Sequence, residues 1–188
     1  MSETQCTYIP AERIKSSVSV TLLKSGVCFL IFCLLMYLAG IRVNTSKSIP
    51  IGLYETDSRP FEKGRYVMFC PPDAPAFRMA RDRGYITAGF CPGGFGYMMK
   101  KILAAKGDTV TVTNTGVFVN GKRLPFSRPR EADGGGRALP QYRPVSHRLD
   151  SSELLLMSDV SATSFDGRYF GPIDRTHIKS TIVPIVTW

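Results

Sequence analysis

The chain has 188 residues, with 24 Lys and Arg against 15 Asp and Glu and a net charge of +9. That length suits one membrane segment and one exterior domain of roughly 145 residues, large enough to bury a core without metal or disulfide staples. The positive charge is spread along the chain with no basic stripe or recognisable reader module, which excludes nucleic acid as the expected partner and fits a domain facing anionic lipid headgroups.

In chain order, residues 1–24 read as a cytoplasmic N-terminal segment and residues 25–41 as a single uncleaved anchor. Ser25 to Ile41 carries no charge. As a helix it reaches roughly 25 Å, and Thr21, Leu22 and Leu23 lengthen it toward the ~30 Å hydrocarbon core if Lys24 snorkels. A leading segment with Glu3 and Glu12, and no small-x-small cleavage pattern after the span, argue against a removed signal peptide. Arg13, Lys15 and Lys24 precede the span, which predicts a cytoplasmic N-terminus and an exterior domain over residues 42–188.

The exterior domain reads as mainly β with one or two short helices. Gly64–Phe69 is a strand stopped by Pro71-Pro72. Asp73–Gly84 carries helix punctuation, with Asp73 as cap, Pro75 in the first turn, Gly84 as terminator, and Phe77 and Ala80 facing inward. Tyr97–Ala105 is extended, Thr109–Thr113 and Val117–Val119 form a hairpin, Leu154–Met157 is a buried strand, and Thr181–Val186 is a closing strand marked by Pro184 as edge or bulge. Residues 126–150, rich in Pro, Gly and Arg, read as a mobile loop over a substrate.

Five cysteines sort by place. Cys6 is cytoplasmic and Cys28 and Cys33 lie in the span as small apolar residues, whereas Cys70 and Cys91 share the exterior domain. In an oxidising compartment the latter pair makes a disulfide worth about 3 kcal/mol. No His/Cys spacing resembles a zinc site, so no metal or cofactor is expected.

The chemistry centres on a serine close behind the span. Ser48 follows Ile41 by seven residues and is fixed by Pro50. There is no Gly-x-Ser-x-Gly elbow and no His-Glu-x-x-His, and His147 and His177 have no catalytic context. A serine nucleophile here needs a base other than histidine, and lysine is the alternative. A lysine serves only when neutral; lowering its pKa by about three units takes about 4 kcal/mol, which apolar burial can supply. Lys100 shares a strand face with Met98, Ile102 and Ala104, and Lys101 shares the other with Met99 and Leu103, so polarity alone does not choose between them.

Three motifs occur in order: Ser46-x-Ser48-x-Pro50-x-Gly52-Leu53-Tyr54, then Lys100-Lys101 followed by Gly107-Asp108, then Ser158-Asp159 with Ser164-x-Asp166-x-Arg168-Tyr169-Phe170-Gly171. Together they resemble the type I signal peptidases, most closely the conjugal-transfer branch, from about Asn44 onward. The resemblance implies a signal-peptidase-like β domain with Ser48 as nucleophile and Lys100 as general base. It further implies Ser46 and the Ser48 amide as oxyanion donors, and Ser164 as the group that orients Lys100. Asp166 would hold the base region through Arg168, with Asp159 on the same returning segment. A carboxylate touching the lysine would favour the ammonium form, so Asp166 is better paired with Arg168 than with Lys100.

The departures point the same way. Ile49-Pro50 after Ser48 is one residue shorter than the usual Ser-Met-x-Pro, Lys106 stands where Pro-Gly-Asp has its proline, and Val160-Ser161-Ala162-Thr163 replaces an Asn/Asp-rich stretch. These shift the expected substrate from general preproteins to a propilin peptide. The expected setting is a bacterial inner membrane with the catalytic domain in the periplasm, beside mating-pore components, and the product is either a cleaved or a cyclised pilin.

Overall fold

The computed structural model describes residues 11–188; expectations resting on residues 1–10, including the cytoplasmic Cys6, lie outside them. The chain divides into two compact units, with the boundary after Ile41.

In the first unit a single helix, α1, runs over Ala11–Leu38. Its Val20–Leu38 stretch of 19 residues is long and apolar enough to cross a membrane. The leucines and phenylalanines of that stretch are exposed all round the helix. Cys28 and Cys33 are unpaired there. The span was expected to continue to Ile41, but α1 stops three residues earlier. The Gly40 amide closes on the Tyr37 carbonyl at 3.1 Å with φ of 86°, a left-handed C-terminal stop, and Ile41 already starts a strand.

The second unit holds twelve strands and two short helices. In chain order they are β1 (Ile41–Asn44), β2 (Gly52–Asp57), β3 (Tyr66–Phe69), α2 (Pro75–Asp82), β4 (Ala88–Cys91), β5 (Met98–Ala104) and β6 (Thr109–Thr113). There follow β7 (Gly116–Val119), β8 (Lys122–Arg123), β9 (His147–Arg148), β10 (Glu153–Met157), α3 (Gly167–Phe170), β11 (Ile173–Asp174) and β12 (Ile178–Thr187). One sheet has the order β1-β2-β12-β3-β5-β10-β11 and a smaller one β8-β7-β6-β9. The class is mainly β, as the sequence implied.

The strands form where the residues alternate. β5 buries Met98, Lys100, Ile102 and Ala104 in turn, while Met99, Lys101 and Leu103 are half-buried on the opposite face. β6 and β7 pair Val110 with Val119 and Val112 with Val117, and those valines pack with Ala104, Leu155 and Met157 to join the two sheets. Asn120 and Gly121, both at positive φ, make the two-residue turn into β8. A larger core lies under α2 and α3, where Phe77, Phe165 and Phe170 pack with centroids 4.7 to 6.3 Å apart. Cys70 and Cys91 are joined by a disulfide inside this cluster.

Two local expectations change and one holds. The cap of α2 is Ala74, whose side chain makes no capping bond, and Asp73 pairs with Arg78 at 2.6 Å instead. Pro184 sits at a register shift in β12, past Ile182 where pairing with β3 ends, the edge or bulge that the proline marked in the sequence. Residues 126–150 are tethered along their length rather than loose. Arg168 holds the Phe126 carbonyl at 2.7 Å, Pro144 accepts from the Val112 amide at 3.1 Å, and β9 pairs with β6.

Candidate active site

The turn between β1 and β2 carries Ser48, and three anchors fix it. Ile49 is fully buried against Tyr54, Met68 and Ile182. The Tyr54 hydroxyl donates to the Pro50 carbonyl at 2.6 Å, and burial pushes that phenol up to about 12. The third anchor is Asn44, which sequence reasoning missed. Its buried amide donates to the carbonyls of Ser46, Ile49 and Pro50 at 2.9, 3.1 and 3.0 Å. Its Oδ1 accepts from the amide and hydroxyl of Ser46 at 3.1 and 2.9 Å. An Asn just ahead of a Ser-rich turn is a side chain that can stand in for backbone partners, and this was the signal available. Ser46 is exposed and its hydroxyl is committed to Asn44, which departs from its expected place as an oxyanion donor.

Lys100 lies on an inner strand of the large sheet, with Val67 opposite on β3. It is 3% exposed, and its side-chain amine donates to no protein group among the described residues. Burial lowers its amine to about 8 from 10.5; Asp166 pulls it back up and Arg168 pushes it down. The two neighbouring lysines are now distinguishable. Lys101 donates to Asp159 at 2.7 Å and lies over the Tyr66 ring, and that bond raises its pKa. Asp159 therefore belongs to Lys101, on the far face from Lys100.

The segment after β10 supplies the rest. The Ser164 hydroxyl donates to Ser48 Oγ at 3.2 Å, whereas its expected partner was Lys100. Asp166 and Arg168 are both fully buried and meet through two bonds of 2.8 and 2.9 Å. Asp166 also accepts from the Ser158 amide at 3.1 Å, and Arg168 donates to the carbonyls of Phe126, Ala162 and Ser161 at 2.7, 3.1 and 3.3 Å. Every polar edge of the pair is used, which makes a buried ion pair tolerable.

Ser48, Lys100 and Ser164 line one cavity of about 440 Å³, walled on its apolar side by Met98, Phe165 and Tyr169. Ser46, Asp159, Asp166 and Arg168 are outside it. His147 pairs with Glu153 at 2.9 Å, away from the cavity. Among the described residues no cluster of metal-ligating side chains occurs. The arrangement offers a hydroxyl, a dry amine and an apolar wall, the means of nucleophilic attack on an acyl group.

A β framework carrying a serine and an uncompensated lysine to one cavity belongs with the serine peptidases. The chain is a member of the signal peptidase family, peptidase S26, whose model matches residues 14–188. It is 57% identical over 176 residues to a plasmid transfer protein TraF of Escherichia coli, covering 94% of this chain and 99% of that one. A second Escherichia coli plasmid transfer protein TraF is 59% identical over 152 residues, 81% of this chain and 86% of the relative. A conjugal transfer protein TraF of Agrobacterium tumefaciens is 34% identical over 151 residues, 79% of this chain and 84% of its own. Among solved structures, a signal peptidase I from Enterococcus faecalis matches at 14% identity with a TM-score of 0.39, over 68% of this chain and all of that one.

Proposed function

We propose that this protein is the membrane-anchored Ser-Lys peptidase of a conjugative transfer system and that it processes a propilin at the periplasmic face of the inner membrane. The observation that carries the reading is the dry Lys100 amine, without a carboxylate in contact, on the same cavity as Ser48. The curated relatives described as plasmid and conjugal transfer proteins support the setting.

In this mechanism Ser48 Oγ attacks the scissile carbonyl and its proton passes to Lys100 Nζ. Ser164 donates into Ser48 Oγ and leaves the serine's own proton directed elsewhere. The negative oxygen of the tetrahedral intermediate is met by the Ser48 amide, which donates to no acceptor among the described residues. Lysine then returns the proton to the departing amine, leaving an acyl-enzyme. Water, activated by the regenerated amine, gives a linear product; the pilin's own amine in place of water gives a circle.

With a pKa of about 8, about one amine in ten is neutral at pH 7, against about one in three thousand at the ordinary 10.5. Burial thus supplies about 300-fold in available base. Co-expression of the pilin precursor with the wild-type protein, Ser48→Ala and Lys100→Ala tests the reading. Intact-mass spectrometry is expected to show a processed pilin with the wild type and unprocessed precursor with both variants, while circular dichroism remains native. A product lighter than the cleaved chain by one further water marks cyclisation. Processing that survives Ser48→Ala, or breadth across unrelated exported preproteins, would contradict the proposal.

A further inference from the structure

A second cavity, of about 640 Å³, adjoins the catalytic one and shares Arg130 with it. Its other charged lining residues are Arg128, Arg143 and Glu131, so three guanidiniums face one carboxylate. The side chains of Arg128 and Arg130 have neither an ion pair nor a hydrogen-bond partner among the described residues. Asp133, the acidic residue on the catalytic cavity, cannot neutralise Arg130, because it is taken by the Tyr85 hydroxyl and by Arg137 at 2.7 Å. The pocket's backbone, by contrast, is fixed. Buried Arg168 holds the carbonyls of Ala162 and Phe126 at 3.1 and 2.7 Å, and the Arg130 amide donates to Tyr169 Oη at 3.2 Å. Guanidinium heads left free on an immobilised backbone, one of them shared with the reacting cavity, suit a two-pronged carboxylate contact.

We propose that this arginine-lined pocket is a substrate subsite for a carboxylate of the peptide, either an acidic side chain near the cut or a free C-terminus. The inference rests on the peptidase reading above. A lipid phosphate is the less favoured occupant, because the pocket shares Arg130 with the cavity that Ser48 lines.

The test uses the full-length protein in detergent and a set of alanine-rich peptides. Each carries glutamate at a different distance from the cut, each has a glutamine counterpart, and each is made as free acid and as C-terminal amide. Affinity is measured by fluorescence anisotropy on Ser48→Ala, and kcat/KM on the protein with Ser48 intact. One glutamate position is expected to beat glutamine by about tenfold, and this preference should shrink as salt rises. If the C-terminus is the ligand, the preference appears between acid and amide instead. Arg128→Gln with Arg130→Gln is expected to bring the ratio close to one, while the lysine versions keep part of it. Equal affinity for all charge pairs would overturn the subsite, as would a preference untouched by the glutamine variants. Loss of binding to phosphatidylglycerol vesicles in those variants, with peptide discrimination retained, would overturn it in favour of lipid. Discrimination in binding without any cleavage would instead defeat the peptidase reading and leave the subsite standing.

Discussion

At the residue scale the decisive group is Lys100, and its burial makes two opposed demands. Below about 8 both the folded and the unfolded chain carry the ammonium, so the folded state bears the full cost of keeping it dry. Between about 8 and 10.5 the folded protein releases the proton while the unfolded chain keeps it, so stability rises with pH across that window. Lys100→Met is therefore expected to abolish processing and raise unfolding stability at pH 7 by about 3 kcal/mol, read by urea denaturation. A destabilised Met variant would show that the amine is not buried as described. The reaction itself is expected to gain rate with pH through about 8, since the proposed mechanism uses the neutral amine. Asp166→Asn strands the guanidinium of Arg168 and is expected to cost about 3–5 kcal/mol. Because Asp166 raises the Lys100 pKa, the same change should move the rate midpoint to lower pH, an effect that loss of packing alone would not give. Asn44→Ala removes the hub of the serine turn; the expected outcome is a large fall in kcat with the thermal midpoint lowered by only a few degrees.

At the scale of elements, the hairpin, the strand bearing Lys100 and the strand 154–157 were legible because their apolar residues alternate and turn residues bound them. The physical choice between Lys100 and Lys101 was not, and only the resemblance singled out Lys100. It depends on pairing with β3 and β10, which sets Lys101 beside Tyr66 and Asp159, and no local pattern contains that information. The role of Ser164 was misdirected for the same reason, since its contact with Ser48 spans 116 residues of sequence. The Asp73 cap failed because Arg78 competed for the carboxylate. Gly52 shows how closely two elements meet: a Cβ there would lie 2.1 Å from the Val186 carbonyl oxygen on β12. Gly52→Ala is therefore expected to separate β2 from β12 and disturb the serine turn just before it, lowering both the unfolding midpoint and kcat. Reducing the buried Cys70–Cys91 bridge, or replacing both cysteines by serine, should cost about 3 kcal/mol without moving the pH profile.

At the scale of the whole molecule, the sequence conveyed the plan because its order is simple: one apolar helix, then a β domain whose chemical residues lie in three separated stretches. Resemblance identified those stretches; physical pairing explains why they converge. The buried Asp166–Arg168 pair joins the returning segment to the start of residues 126–150, so the catalytic cavity and the arginine pocket share one support. The proposed orientation across the inner membrane makes its own prediction. Alkaline phosphatase joined after Trp188 is expected to be active in the periplasm, and an inactive fusion beside an active cytoplasmic reporter would reverse the topology.

The most direct measurement is a titration of the Lys100 side chain. In a sample labelled with 13C at lysine Cε, the Lys100 resonance is assigned by its loss in Lys100→Arg and followed with pH. A midpoint near 8 is the expected result, from an amine held dry by the sheet. A midpoint at the ordinary 10.5, in folded protein that still processes its substrate, would contradict the account.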